Sequence, residues 1–400
     1  MQVALRRAAF DPEAQEELQQ LAQSAGLEAA GAMLARRERP DPALFIGGGK
    51  VAELRALAHE RGAAVVLIDA QLSPVQQRNL ERELDLPVLD RTALILDIFS
   101  RRAKSREGKL QVELAQLEYL STRLVRGWTH LERQRGGIGL RGGPGEKQIE
   151  LDRRMIAARV KQLREKLRAL DRQRGTQRRA RLRGGAYRVS LVGYTNAGKS
   201  TLFNALTHGD AYCADQLFAT LDTTSRRCYA APGASFVLSD TVGFVRELPH
   251  SLVESFRSTL QESVDADLLL HVVDAASPAR AEQEREVERV LEEIGAQDVP
   301  RLRVLNKIDR IGRAPGIDHD ACGSIASVWL SAREGGGVEL LREAIARRIE
   351  LRDACGGREA AVDEPVAAVA PLRGPPAAER PPSRREAPAL LDRSNVLDVH

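Results

Sequence analysis

Gly193-Tyr194-Thr195-Asn196-Ala197-Gly198-Lys199-Ser200-Thr201 has the spacing GxxxxGK[ST], an arrangement that holds phosphate. The apolar run 189–192 before it reads as a strand, and the residues through Leu206 read as a helix. Backbone N–H groups in such a turn point inward around a β-phosphate, and the helix N-terminus adds positive potential. Lys199 would reach the β- and γ-phosphates and stabilise charge in transfer, while the Ser200 hydroxyl would coordinate Mg²⁺. This loop alone specifies a nucleoside triphosphate without naming the base. A bare glycine turn between strand and helix is its bland alternative.

Asp240-Thr241-Val242-Gly243 follows the run 235–239. A carboxylate at the end of that strand suits a bound Mg²⁺, and the Gly243 N–H can sense a γ-phosphate. DxxG is weak by itself, and its place after the phosphate loop strengthens it. Asn306-Lys307-Ile308-Asp309 ends the strand 301–305. The Asp309 carboxylate can accept from both N1–H and the exocyclic amine of guanine. Adenine offers neither, so the residue would select GTP. Asn306 and Lys307 would brace the loop and cover the base. Ser331-Ala332-Arg333, after 327–330, fits a loop whose backbone meets the guanine oxygen. The switch threonine must lie between Thr207 and Asp240. Thr220, within Phe218-Ala219-Thr220-Leu221-Asp222, is the candidate that completes Mg²⁺ coordination when a γ-phosphate is present, with Thr223 and Thr224 as rivals. Many GTPases place a glutamine after DxxG to orient water. Here the position is Phe244, with neither donor nor acceptor, so unaided hydrolysis should be slow and no general base can be named.

These loops need a mostly parallel α/β sheet, and from Tyr187 to about Glu350 strands and helices alternate as such a sheet requires. Upstream, residues 13–25 are periodic, 63–68 and 86–90 read as short strands, and 72–84 as a helix started by Ser73-Pro74. That pattern predicts a small α/β domain with a parallel sheet. Leu110, Leu114, Leu117, Leu120 and Leu124 then recur at helical spacing, and Ile156, Val160, Leu163, Leu167 and Leu170 form a heptad seam. Between them, 127–145 holds seven glycines in 19 residues. Two facing helices with a glycine-rich tip make an antiparallel hairpin, either a functional arm or a linker packed on its neighbours. Residues 153–183 carry 13 Lys or Arg against two acids, a solvated face or a surface for a phosphate-rich partner. After Cys355, seven of the 18 prolines fall among Ala, Arg and Glu, a composition expected to stay disordered.

No apolar run approaches a membrane span and the start has no signal-peptide core, which points to the cytoplasm. Cys213, Cys228, Cys322 and Cys355 form no metal or disulfide spacing and read as reduced thiols. The net charge of +4 says little about partners. Gly47-Gly48-Gly49-Lys50 resembles a phosphate loop without the required spacing, and reads better as a turn into a helix.

Beyond the loops, the segments FIGGGKVAEL, LDRTALILDIFSRRAKSREGKLQVELAQLEYL, GGIGLRGGPGEKQIELDRR, DQLFATLD and DTVGFVRELPH resemble the HflX family of ribosome-associated GTPases, over roughly residues 40–350. The resemblance implies an N-terminal α/β domain, a helical hairpin and a P-loop GTPase domain. It also implies binding to the large ribosomal subunit and its rRNA, hydrolysis stimulated there, and splitting or rescue of stalled ribosomes. The glycine-rich tip would approach the peptidyl-transferase region, and a second, ATP-binding site in the N-terminal domain is allowed. Two departures stand out: Thr223 replaces the family's usual Pro, and the Pro/Ala/Arg tail stands where a short C-terminal domain often follows.

The expected organisation is 1–105 for the N-terminal domain, 106–185 for the basic hairpin, 186–350 for the GTPase domain and 351–400 for the tail. The chain would act as a monomer turning GTP into GDP, with Ser200, Thr220 and Asp240 around Mg²⁺ and Lys199 and Thr220 as catalytic groups. A signalling G protein that switches a protein or membrane-surface partner is the alternative. An N-terminal ATPase acting on RNA is a third reading.

Overall fold

The protein is described by a computed structural model covering residues 2–5, 12–37, 39–126, 144–183, 185–207, 217–218, 220–246 and 248–355. Most of the glycine-rich tip, Ala219, Cys213 and the tail from 356 onward lie outside the described residues.

The first hundred residues form β1 (Gln2–Leu5), α1 (Pro12–Ser24), β2 (Leu34–Arg37), α2 (Gly48–Glu60), β3 (Val66–Ile68), α3 (Pro74–Leu84), β4 (Val88–Asp90) and α4 (Arg91–Arg102). The strands make two separate parallel pairs, β1 with β2 and β3 with β4, instead of one sheet. Strands of three or four residues expose too little ladder to extend further. Helices close this core instead, with Val51, Leu54, Leu80 and Leu84 packed around Val66, Ile68 and Val88. Ser73 caps α3 in a full capping box with Gln76, and Pro74 sits in its first turn, as its sequence predicts. The Gly47–Lys50 segment is the turn into α2, and Lys50 pairs with Glu53.

Asp90 is fully buried at the start of α4 and accepts from Ala93 N (2.8 Å), Leu72 N (3.2 Å), Tyr119 Oη (2.8 Å) and Arg123 Nη2 (2.7 Å). A carboxylate taken from water needs that many partners. The last two belong to α5 (Arg106–Arg126), so the N-terminal layer is pinned to the next helix. Beside α5 runs α6 (Pro144–Arg183), joined to it by Arg159–Glu113 (2.6 Å) and Arg164–Glu118 (2.7 Å). Leu163 is fully buried in this seam and Ile156, Val160, Leu167 and Leu170 are half-buried, as the heptad reading expects. Leu120 departs from the expected stripe and is exposed. Two successive steps of three residues rotate it about 120° off the line of Leu114.

The remainder is a seven-stranded sheet in the order β10-β11-β9-β8-β5-β7-β6. Its strands are β5 (Tyr187–Val192), β6 (Thr224–Ala231), β7 (Ala234–Asp240), β8 (Leu268–Asp274), β9 (Arg301–Asn306), β10 (Gly316–His319) and β11 (Ile325–Trp329). All inner pairings are parallel, and only the edge strands β6 and β10 run antiparallel. β5 and β8 are buried almost throughout, as strands covered on both faces must be. The helices are α7 (Lys199–Thr207), α8 (His250–Ser255), α9 (Arg257–Val264), α10 (Arg280–Ile294) and α11 (Val338–Cys355). α11 continues through Cys355, past the boundary expected at 350.

One face of the sheet packs under α7 and α11 around Leu202, Phe203, Leu341 and Ile345. The opposite face shares a single core with the upstream helices: Leu21 of α1, Leu94, Ile95 and Phe99 of α4, and Val112 of α5 join Phe218, Leu221, Phe256, Leu269 and Leu291. From β5 the chain passes to β6 and β7 on one side and then to β8 on the other. The crevice at the carboxyl ends of such strands is where open α/β sheets take ligands.

Candidate nucleotide site

The turn 193–198 lies at that crevice, between the end of β5 and the first residue of α7. Two of its glycines are obligatory. Gly193 (φ 151°) and Gly198 (φ 93°) have left-handed backbones, and an added Cβ would overlap the Val272 carbonyl or the Asn306 amide. Lys199 is buried, and its Nζ donates to the carbonyls of Gly193 (3.0 Å) and Tyr194 (2.8 Å), laying the side chain across the loop. Burial pushes its ammonium down to about 8; nearby Asp240 opposes that shift and Lys307 adds to it. Thr201 continues the first turn of α7.

Ser200, Thr220 and Asp240 come together in one cluster. Asp240 Oδ2 accepts from Ser200 Oγ and Thr220 Oγ1, both at 2.9 Å, and the two hydroxyls are 2.8 Å apart. The other oxygen, Asp240 Oδ1, is buried without a hydrogen-bond partner. Burial raises the Asp240 carboxyl above its ordinary value, against the pull of Lys199 and the two hydroxyls. An all-oxygen cluster with one buried acceptor unmet fits a small hard cation. Thr241 and Val242 are buried beside it, and a Cβ on Gly243 would crowd Lys199 Nζ and Thr195.

Asn306 is a buried staple between three loops: its Nδ2 donates to Ala197 O and its Oδ1 accepts from Ala332 N, each at 2.9 Å. Lys307 adopts a left-handed backbone (φ 64°) and pairs with Asp274 at 2.7 Å. Asp309 Oδ1 accepts from Ser331 Oγ at 2.6 Å. Ile308 is buried, and Arg333 is exposed at the end of its loop. The phosphate loop, the NKID segment and 331–333 therefore share one edge of the sheet. Asp222 stands apart from this grouping, since its carboxylate points to the start of α5.

Phe244 is almost completely buried in the core shared with the upstream helices. Its backbone zips to the phosphate loop, Thr195 N donating to Phe244 O (2.7 Å) and Phe244 N to Gly193 O (3.2 Å). Around this zipper lies a network that the sequence reading missed. Tyr194 Oη donates to Glu17 Oε2 (2.5 Å) and accepts from Arg246 N (2.7 Å). Arg91 donates to Arg246 O (2.9 Å), to Asp69 (2.6 Å) and to Glu17. Burial and then the Glu17 carboxylate raise the Tyr194 phenol well above its ordinary value. One signal was present in the sequence: Arg91 is a cation in the first turn of a helix, where the helix dipole disfavours it. Next to this network, a cavity of about 230 Å³ opens between Thr195, Asn196, Lys307 and the acidic side of α1, Glu13 and Glu16.

With this geometry in place, known proteins supply the family. Residues 12–100 match the family described as GTP-binding GTPase N-terminal, 102–181 the GTP-binding GTPase Middle Region, and 188–307 the 50S ribosome-binding GTPase. The GTPase HflX of Escherichia coli (strain K12) is 52% identical over 340 residues, spanning 85% of this chain and 80% of that protein. The chain belongs to the HflX family of GTPases. GTPase HflX of Magnetococcus marinus is 48% identical over 334 residues, 84% of this chain and 77% of its own. A GTP-binding protein from Sulfolobus solfataricus in complex with GDP aligns over 88% of this chain and 98% of its own at 24% identity and a TM-score of 0.45, which adds nothing to the assignment. As a member of the HflX family, the protein binds guanine nucleotide and hydrolyses GTP on a P-loop fold. GTPases of this kind generally take GTP together with Mg²⁺. Among the described residues no helix is long and apolar enough to cross a membrane.

Proposed function

We propose that this GTPase works on the large ribosomal subunit, and that its full rate of hydrolysis appears only there. The observation that carries the reading is Phe244. At the position where many GTPases hold a water-orienting glutamine, an apolar ring is sealed into the core and its backbone is bonded to the phosphate loop. A partner must then organise the attacking water. The match of 188–307 to a 50S ribosome-binding family supports the ribosome as that partner. The Arg-rich flank of α6 supports a phosphate-rich surface as the docking site. In this reading the N-terminal domain and the α5–α6 hairpin bind the subunit, and hydrolysis releases the protein during splitting or rescue of stalled ribosomes.

Within the site, Ser200, Thr220 and Asp240 would hold Mg²⁺, the unmet Oδ1 of Asp240 being the group that most needs it. When bound, the ion would supply positive charge next to the transferring phosphoryl group. Lys199 would stabilise developing charge on the β- and γ-phosphates, and the Gly243 N–H would sense the γ-phosphate. Asp309, steadied by Ser331 and by the Asn306 staple, would select guanine.

The test is steady-state GTP turnover by the purified protein alone, with large subunits, and with small subunits. Stimulation by large subunits only is the expected outcome. Turnover that no ribosomal particle changes would sink the ribosomal reading and leave the GTPase standing.

A further inference from the structure

Thr220 reaches the Ser200–Asp240 cluster from the segment that leads into β6. Its neighbours are anchored elsewhere. Phe218 packs edge-on against Phe99 of α4, with ring centroids 4.7 Å apart, and Leu217 N donates to Ser24 Oγ at the end of α1 (3.1 Å). Leu221 is buried in the same shared core. On the far side of Thr220, the Asp222 carboxylate accepts from Lys104 N (2.9 Å), Ser105 N (2.7 Å) and Ser105 Oγ (2.5 Å). Ser105 Oγ also accepts from Gly108 N (2.8 Å) in the first turn of α5. Next in sequence, Thr223 Oγ1 donates to Thr259 O (3.3 Å), and Thr259 Oγ1 donates to Gln111 Oε1 of α5 (3.0 Å).

We propose that the N-terminal turn of α5 is part of the nucleotide apparatus: by gripping Asp222, it holds Thr220 where the metal and γ-phosphate need it. Asp222 is then a positioning residue, acting through the backbone of Leu221 on Thr220. The turn is shaped for this contact. Gly108 is helical, where alanine would be favoured by about 1 kcal/mol. Yet a Cβ there would overlap Asp222 Oδ1. Glycine forgoes helix stability and leaves room for the carboxylate. The inference rests on the assignment of Thr220 to the metal.

Two substitutions outside the site test it in the full-length chain. Ser105→Ala removes one donor to Asp222 and the cap of α5, and so weakens the helix. Gly108→Ala strengthens the helix and expels the carboxylate. Their effects on α5 are opposite, whereas their effects on Asp222 are the same. The readout is the Mg²⁺ concentration at half-saturation for binding a non-hydrolysable GTP analogue, measured beside GDP affinity. Both variants should raise that midpoint, by roughly tenfold for the loss of about one charged hydrogen bond, with GDP affinity little changed. Thr220→Ala, as reference, should raise it at least as much. If Thr220→Ala raises the midpoint and the two α5 variants leave it alone, the positioning role is wrong and the Thr220 assignment survives. If Thr220→Ala itself leaves it unchanged, both fall. A parallel loss of GDP affinity in the α5 variants would mark a general structural defect and overturn the proposal.

Discussion

Among the described residues Asp309 has one hydrogen-bond partner, Ser331, and the reading of guanine depends on what else it can accept. Asp309→Asn exchanges an acceptor for a donor at the base. The preference for GTP over xanthosine triphosphate should fall by on the order of a hundredfold or more, because buried recognition groups left unpaired are strongly penalised. Competition binding with the two nucleotides measures it, and an unchanged preference would refute the role. Residues of this sort were legible in the chain because their geometry is local. Gly193, Gly198 and Lys199 are set by one strand–turn–helix unit, and their spacing is the geometry. Asp222 was legible only as a member of its segment. Its partner Lys104 lies 118 positions away, and no spacing rule reaches that far. Glu17, 177 positions from Tyr194, was invisible for the same reason.

Among the elements, α3 and the α6 seam followed from capping and periodicity, which act within a few turns. In the N-terminal region the two strands read from the sequence, β3 and β4, pair in parallel as expected, whereas β1 and β2 form a separate pair that no apolar run signalled. α4 shows what one element can join. Its first residue, Arg91, is buried between Glu17, Asp69 and the carbonyl of Arg246. Arg91→Ala would leave two carboxylates without their cation and should cost about 3–5 kcal/mol. Urea unfolding followed by circular dichroism gives the number, and a loss below about 1 kcal/mol, typical of an exposed ion pair, would show that the network is solvated.

For the molecule as a whole, the notable fact is that the sheet's second face is covered jointly, by helices of the GTPase region and by helices upstream of it. Side chains from α1, α4 and α5 pack with those of α8, α9 and α10, so one core crosses the boundaries expected at 105 and 185. Melting should therefore be one calorimetric transition for residues 1–355, with no separate event for the N-terminal region. A guanine nucleotide at a hundred times its Kd would raise the stability of that entire unit by about 2.7 kcal/mol. Amide protons in α1 and α4, which need not touch the nucleotide, would then exchange more slowly with deuterium once it binds. Occupancy of the site would be written into the rigidity of helices that lie outside the GTPase sheet.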